Sequence, residues 1–153
     1  MEWLRFDWGL FFVDLLKLSI AFIMTLPIAW EREQSTRIMG LRTFPLVAVA
    51  SCGYVLVAIA IVGIDNDEQA RIVQGLMSGV GFIGGGAILK KGVSVRGTAT
   101  AASIWTTGAL GAAIAYGRYE IAILLSLLNF LTLRILSPIE QGVGKRDRSD
   151  SDE

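Results

Sequence analysis

Five apolar stretches take up almost the whole chain, and they restrict it to one kind of fold. Phe44–Ile64, Ile72–Leu89 and Thr98–Gly117 contain no charged residue. Leu10–Trp30 is interrupted by Asp14 and Lys17, and Ile121–Leu136 by Arg134. About 20 apolar residues in a helix cross the roughly 30 Å hydrocarbon core of a bilayer. The runs lack the polar stripe at helical period that a helix on a water-soluble protein presents to solvent. The spacing therefore predicts an all-α, polytopic membrane protein with five transmembrane helices. Its 153 residues leave no room for a second soluble domain. The expected division is a five-helix transmembrane domain over residues 1–137 and a cytoplasmic, disordered tail over 138–153, which is short, charged and glycine-containing.

Composition removes several kinds of chemistry. There is no histidine, which excludes a histidine-based metal site, proton shuttle or triad. The single Cys52 lies inside an apolar run and reads as a small buried apolar residue. One cysteine also rules out an intramolecular disulfide. Net charge is zero, and nothing points to a nucleic-acid partner. The first apolar run resembles a leader only superficially. Arg5 is balanced by Glu2 and Asp7, and Trp30-Glu31-Arg32-Glu33 follows it in place of a small-residue cleavage site, so it reads as a retained helix.

Loop charges set the expected orientation. Arg32, Arg37 and Arg42 follow the first run, Lys90, Lys91 and Arg96 follow the third, and Lys145, Arg146 and Arg148 follow the fifth. With five spans these segments share one side, against Arg5, Arg71 and Arg118 on the other. Basic residues concentrate on the cytoplasmic side, which places the N-terminus outside and the C-terminus inside. Trp3, Trp8, Trp30, Tyr116 and Tyr119 fall near the expected boundaries, as interfacial aromatics do.

Few residues stand out for chemistry. The third run contains Gly75, Gly79, Gly81, Gly84, Gly85 and Gly86. Gly79–Gly84 spells G-x-G-x-x-G, but without a preceding strand or a following acidic residue the dinucleotide reading fails. Gly75-xxx-Gly79 and Gly81-xxx-Gly85 have the spacing that lets helices approach closely in a membrane. The sharper alternative is a break at Gly84–Gly86, with unwound carbonyls offered to a cation. Asp14 and Lys17 share one face of the first helix, where they either pair and anchor it or serve an ion. Helical continuation carries Glu31 and Glu33 just past the membrane face, beside Arg32, as candidate metal ligands. Gly40 offers a stop and Pro45 a restart. Arg42 and Arg96 directly precede apolar runs and suit lipid phosphate, while Thr98 and Thr100 stand where a helix cap is needed. No nucleophile–base pair or phosphate loop is present, so no enzyme is expected.

Three segments resemble a known family. Glu31-Arg32-Glu33 with Gly40-Leu41-Arg42-Thr43, then Ser78 to Leu89, then Val95-Arg96-Gly97-Thr98-Ala99-Thr100 to Trp105, resemble in order the signatures of the MgtC/SapB membrane proteins, over about residues 17–120. The resemblance implies a multi-pass bacterial inner-membrane protein with five helices and an inside C-terminus. It also implies a link to growth in low magnesium and to the survival of some pathogens in macrophages. The best-known member acts as a regulator restraining the F-type ATP synthase, while many members carry a magnesium-transport label. The best-known members also have a soluble C-terminal domain, so this sequence reads as a short form. Thr25 and Ala29 stand where the family often has glycines, and Phe44 where it often has a polar residue. The expected function is a non-enzymatic regulator of magnesium homeostasis or membrane energetics, assembled as a homo-oligomer through the third helix. The alternative is a transporter or channel for Mg²⁺ or another ion. No cofactor is expected beyond Mg²⁺ as a ligand or substrate.

Overall fold

Each apolar stretch becomes one helix. They are α1 (Trp8–Ser35), α2 (Thr43–Val62), α3 (Glu68–Gly85), α4 (Thr98–Ala115) and α5 (Tyr119–Ser149). The computed structural model describes residues 6–35, 39–64, 67–91 and 94–149, with Lys91, Ser94 and 137–149 by backbone alone. Arg5, Arg37 and Trp3 lie outside the described residues, and Lys145, Arg146 and Arg148 fall in the backbone-only segment.

Among the described residues, three helices are long and apolar enough to cross a membrane: α1, α2 and α5 over Tyr119–Leu136. α3 and α4 match the expected third and fourth spans in position but are richer in Gly, Thr, Ala and Gln. For α4 the reason lies in its place. It packs against all four other helices, and Thr100, Ser103, Ile104, Thr107, Gly108, Leu110, Gly111, Ile114 and Ala115 are buried along it. A helix wrapped by its neighbours needs small residues more than greasy ones. α1, by contrast, buries one stripe, Ala21, Thr25, Ile28, Ala29 and Arg32, and turns Phe12, Leu16 and Ile23 outward.

Two boundaries differ from expectation. The charge-free third run extends to Leu89, but α3 stops at Gly85, within the Gly84–Gly86 stretch where a break is the alternative, and Leu89–Lys91 and Ser94–Arg96 form a two-stranded antiparallel hairpin with Lys90 opposite Val95. Consecutive glycines weaken a helix by about 1 kcal/mol each, which favours a stop at Gly84–Gly86. α5 runs on to Ser149, so the backbone of residues 138–149 is helical where a disordered tail was expected.

Cross-contacts show neighbouring helices running antiparallel. The end of α3 meets the start of α4 at Gly84 and Ala101, while Val80 sits against Gly108. The ends of α1 and the start of α4 meet at Arg32 and Thr100. At the opposite end of the bundle the Lys17 ammonium donates to the Ala115 carbonyl at 2.9 Å. The interior divides into two clusters along the bundle, one around Ala48, Cys52, Val55 and Leu110, the other around Ile28, Phe44, Ile104 and Leu133.

Candidate functional site

The three motif segments, far apart in sequence, converge on the start of α4. Arg32 leaves α1 on its buried stripe, with only 3% of its surface exposed, and its Nη1 donates to Thr100 Oγ1 at 3.4 Å. One residue on, Glu33 faces the other way and accepts the Leu41 N–H on Oε2 at 3.2 Å. The Gly40 carbonyl accepts the N–H groups of Thr43 and Phe44, which opens α2 with Pro45 in its first turn. A side chain at position 40 would collide with the Glu33 carboxylate and backbone.

The second and third motifs meet around Gly97. It caps α4 in the left-handed region at φ 89°, and its backbone lies so close to the Ala87 carbonyl that a Cβ would strike it. Glycine adopts that conformation without steric cost. Ala87 is fully buried between the end of α3 and the hairpin.

Helix capping therefore falls to Gly97 and not to the threonines expected there. Thr98 is exposed in the first turn, and Thr100 turns inward as the acceptor for Arg32. Below Thr100 a polar seam continues down α4. Thr107 Oγ1 donates to the Ser103 carbonyl at 2.8 Å, and Asn129 of α5 donates to the same carbonyl at 3.3 Å. Ser126 donates to the Met24 carbonyl at 2.7 Å, tying α5 to α1. Buried hydroxyl and amide groups in lipid must find such partners, and each interhelical bond contributes about 0.6 kcal/mol.

The remaining candidates are dispersed. Glu31 forms an ion pair with Arg134 of α5 at 3.3 Å, so the two carboxylates of the first motif serve separate contacts. No group of three or more His, Cys, Asp or Glu suited to a metal occurs among the described residues. Arg42 and Arg96 are exposed, Thr43 half-buried. Asp14 is half-buried, but the described ion pairs do not join it to Lys17. Lys17 instead reaches the end of α4, where the Ala112, Ala113 and Ile114 carbonyls accept backbone N–H groups, the Ala115 carbonyl accepts the ammonium, and the helix dipole attracts a cation.

The glycines of α3 divide sharply. Gly84 packs on the Ala101 carbonyl, so that an added Cβ would sit 3.0 Å from it, whereas Gly75, Gly79, Gly81 and Gly85 would meet nothing within 4 Å. Gly86 closes the turn after the helix. Gly75 and Gly79 line an open groove between α2 and α3 beneath Tyr54 and Ile83. Beside them Gln74, Ser78 and Phe82 are exposed.

Sequence reasoning missed a latch at the far end. Tyr116 O–H donates to Gln69 Oε1 at 2.7 Å, and Gln69 Nε2 donates to the Gly63 carbonyl at 2.6 Å, joining α4, α3 and the end of α2. The available signal was a glutamine, buried here, just ahead of the third apolar run.

The MgtC family profile matches residues 18–142. The uncharacterized protein slr0014 of Synechocystis sp. is 34% identical over 128 residues, 82% of this chain and 53% of its own length. SrpB of Synechococcus elongatus is 36% identical over 140 residues, 83% of this chain and 75% of its own. MgtC of Salmonella typhimurium is 32% identical over 119 residues, 78% of this chain and 50% of its own. The chain thus spans about half the length of slr0014 and MgtC and three quarters of SrpB. No solved structure matches it. With the matched region covering all three motifs and the helices they hold together, the chain belongs to the MgtC family and is a membrane protein of that type.

Proposed function

We propose that this protein is a non-enzymatic regulator in the bacterial inner membrane, tied to magnesium homeostasis or membrane energetics, which acts by helix contact with a partner membrane complex such as the F-type ATP synthase. In this reading all five helices cross the bilayer, N-terminus outside and C-terminus inside, and copies associate through α3. The observation that carries it is the open face of α3. Gly75 and Gly79 leave their backbone uncovered, with Gln74 and Ser78 beside them. In lipid such a face gains most from another helix, because glycines admit close approach and the polar groups find hydrogen bonds. The motif carboxylates support the same reading, since Glu31 and Glu33 are engaged in holding Arg134 and the Leu41 turn.

Cysteine crosslinking in native membranes tests it. Gly79→Leu should abolish crosslinks through α3 while the protein still accumulates, and unchanged crosslinks would refute this face. Transport of Mg²⁺ is the second reading, favoured by the polar seam of Thr100, Ser103, Thr107 and Asn129 inside the bundle. Mg²⁺ flux into proteoliposomes, with Glu31→Gln/Glu33→Gln as control, separates the two. Flux lost in the control supports transport with its entry at the first motif, and no flux from folded protein supports the regulator.

A further inference from the structure

A second groove lies on the opposite flank of α3 from Gly75 and Gly79. Between α3 and α4 runs a trough of about 300 Å³, with Ile121 of α5 at one end. Its floor includes Ala109, Ala112 and Ala113 of α4, and Met77 of α3 forms part of one wall. Tyr116 and Arg118 close one end, at the turn between α4 and α5. Along α4 the trough extends from Trp105 to Tyr116, about 16 Å at 1.5 Å per residue.

We propose that this trough holds one acyl chain of a membrane phospholipid whose phosphate rests on Arg118. The inference rests on the reading that α3, α4 and α5 lie in the bilayer. Charge at the mouth selects the occupant. Apart from that mouth the named lining is apolar, and a guanidinium at the end of a membrane helix is placed at headgroup depth, where it matches phosphate oxygens in a forked geometry. Arg118 already pairs with Glu120 through Nε, but both side chains are about 60% exposed (61% and 59%), and such a pair contributes little and exchanges readily.

Native mass spectrometry of the purified protein, delipidated and then titrated with phosphatidylglycerol, tests the proposal. The wild type should retain one tightly held lipid. Ala109→Trp, at an exposed floor position, should fill the trough and remove that adduct. Arg118→Gln should weaken it about tenfold, as expected for loss of a charge-assisted contact, and Glu120→Gln should preserve or strengthen it. Arg118→Gln sits at an exposed turn and decides the matter if Ala109→Trp does not fold. Equal retention by Arg118→Gln and wild type would overturn the proposal. So would Ala109→Trp abolishing copy-to-copy crosslinks without changing lipid retention, which would assign the trough to a helix. Gly79→Leu, which tests the other flank, should leave the adduct intact, so failure of the regulatory reading and failure of this one are separable.

Discussion

α3 and α4 are both 18-residue helices studded with glycine, yet they use it in opposite ways. On α4, Gly108 faces Val80 and Gly111 presses on the Ala48 carbonyl, so its glycines are contact surfaces inside the molecule. On α3, four of the glycines contact nothing within reach of a Cβ. A glycine spacing therefore says that close approach is available, not which partner takes it. Within the chain the hub is the Ala/Thr/Gly helix α4, and the glycine face of α3 is left open.

That contrast is open to attack, most sharply at Gly111. Gly111→Ala would drive a Cβ into the Ala48 carbonyl and should cost about 3 kcal/mol, read as a large fall in the thermal midpoint in detergent. A variant as stable as wild type would break the picture of α4 as hub. Next comes the motif centre. Arg32→Met should cost about 2 kcal/mol through the lost hydrogen bond of a charged group, and Thr100→Val less. Measured together in a double-mutant cycle, the two should couple, whereas additive losses would mean that the contact is energetically idle.

The latch sharpens the comparison from the α3 side. Gln69→Leu or Tyr116→Phe should cost about 0.6 kcal/mol each. Hydrogen exchange should rise in the first turns of α3 while α4 stays protected, and equal loss of protection in both helices would contradict the division between them. Smallest of all, Gly79→Ala should leave monomer stability unchanged or raise it by up to about 1 kcal/mol, since alanine favours helix and meets no neighbour. A marked loss would show that the face is already covered within the monomer.

Much of the fold was legible because the runs were long. Thr98 opens α4 as the start of its charge-free run implied, and the continuation of α1 past Trp30 brings Glu31 and Glu33 onto the helix as expected. The hairpin was not legible, since its strands, Leu89–Lys91 and Ser94–Arg96, are three residues each, too short for a period of two to stand out. Nor were the partners of Lys17 and Gln69. An apolar helix in lipid carries little periodicity to show which side faces inward, and a lysine one turn from an aspartate looks like a local pair until the end of α4 is placed beside it. The motif cluster was legible as three segments but not as one place. What joins them is the Arg32–Thr100 hydrogen bond and the close backbone approaches at Gly84 and Gly97, and the latter leave only a glycine in the sequence to mark them.

The Lys17 contact with Ala115 has a consequence for biogenesis. The two residues are 98 positions apart. At about 5–20 residues per second of synthesis, the ammonium in α1 waits about 5–20 s before its acceptor is made. During that interval the first helix carries a charge within its span and no fourth helix to receive it. The lysine stem must then hold its ammonium at the membrane surface, and it can swing inward only when α4 arrives. Final docking of the first helix is thereby coupled to emergence of the fourth, so that a chain truncated before α4 would leave α1 inserted but unlocked.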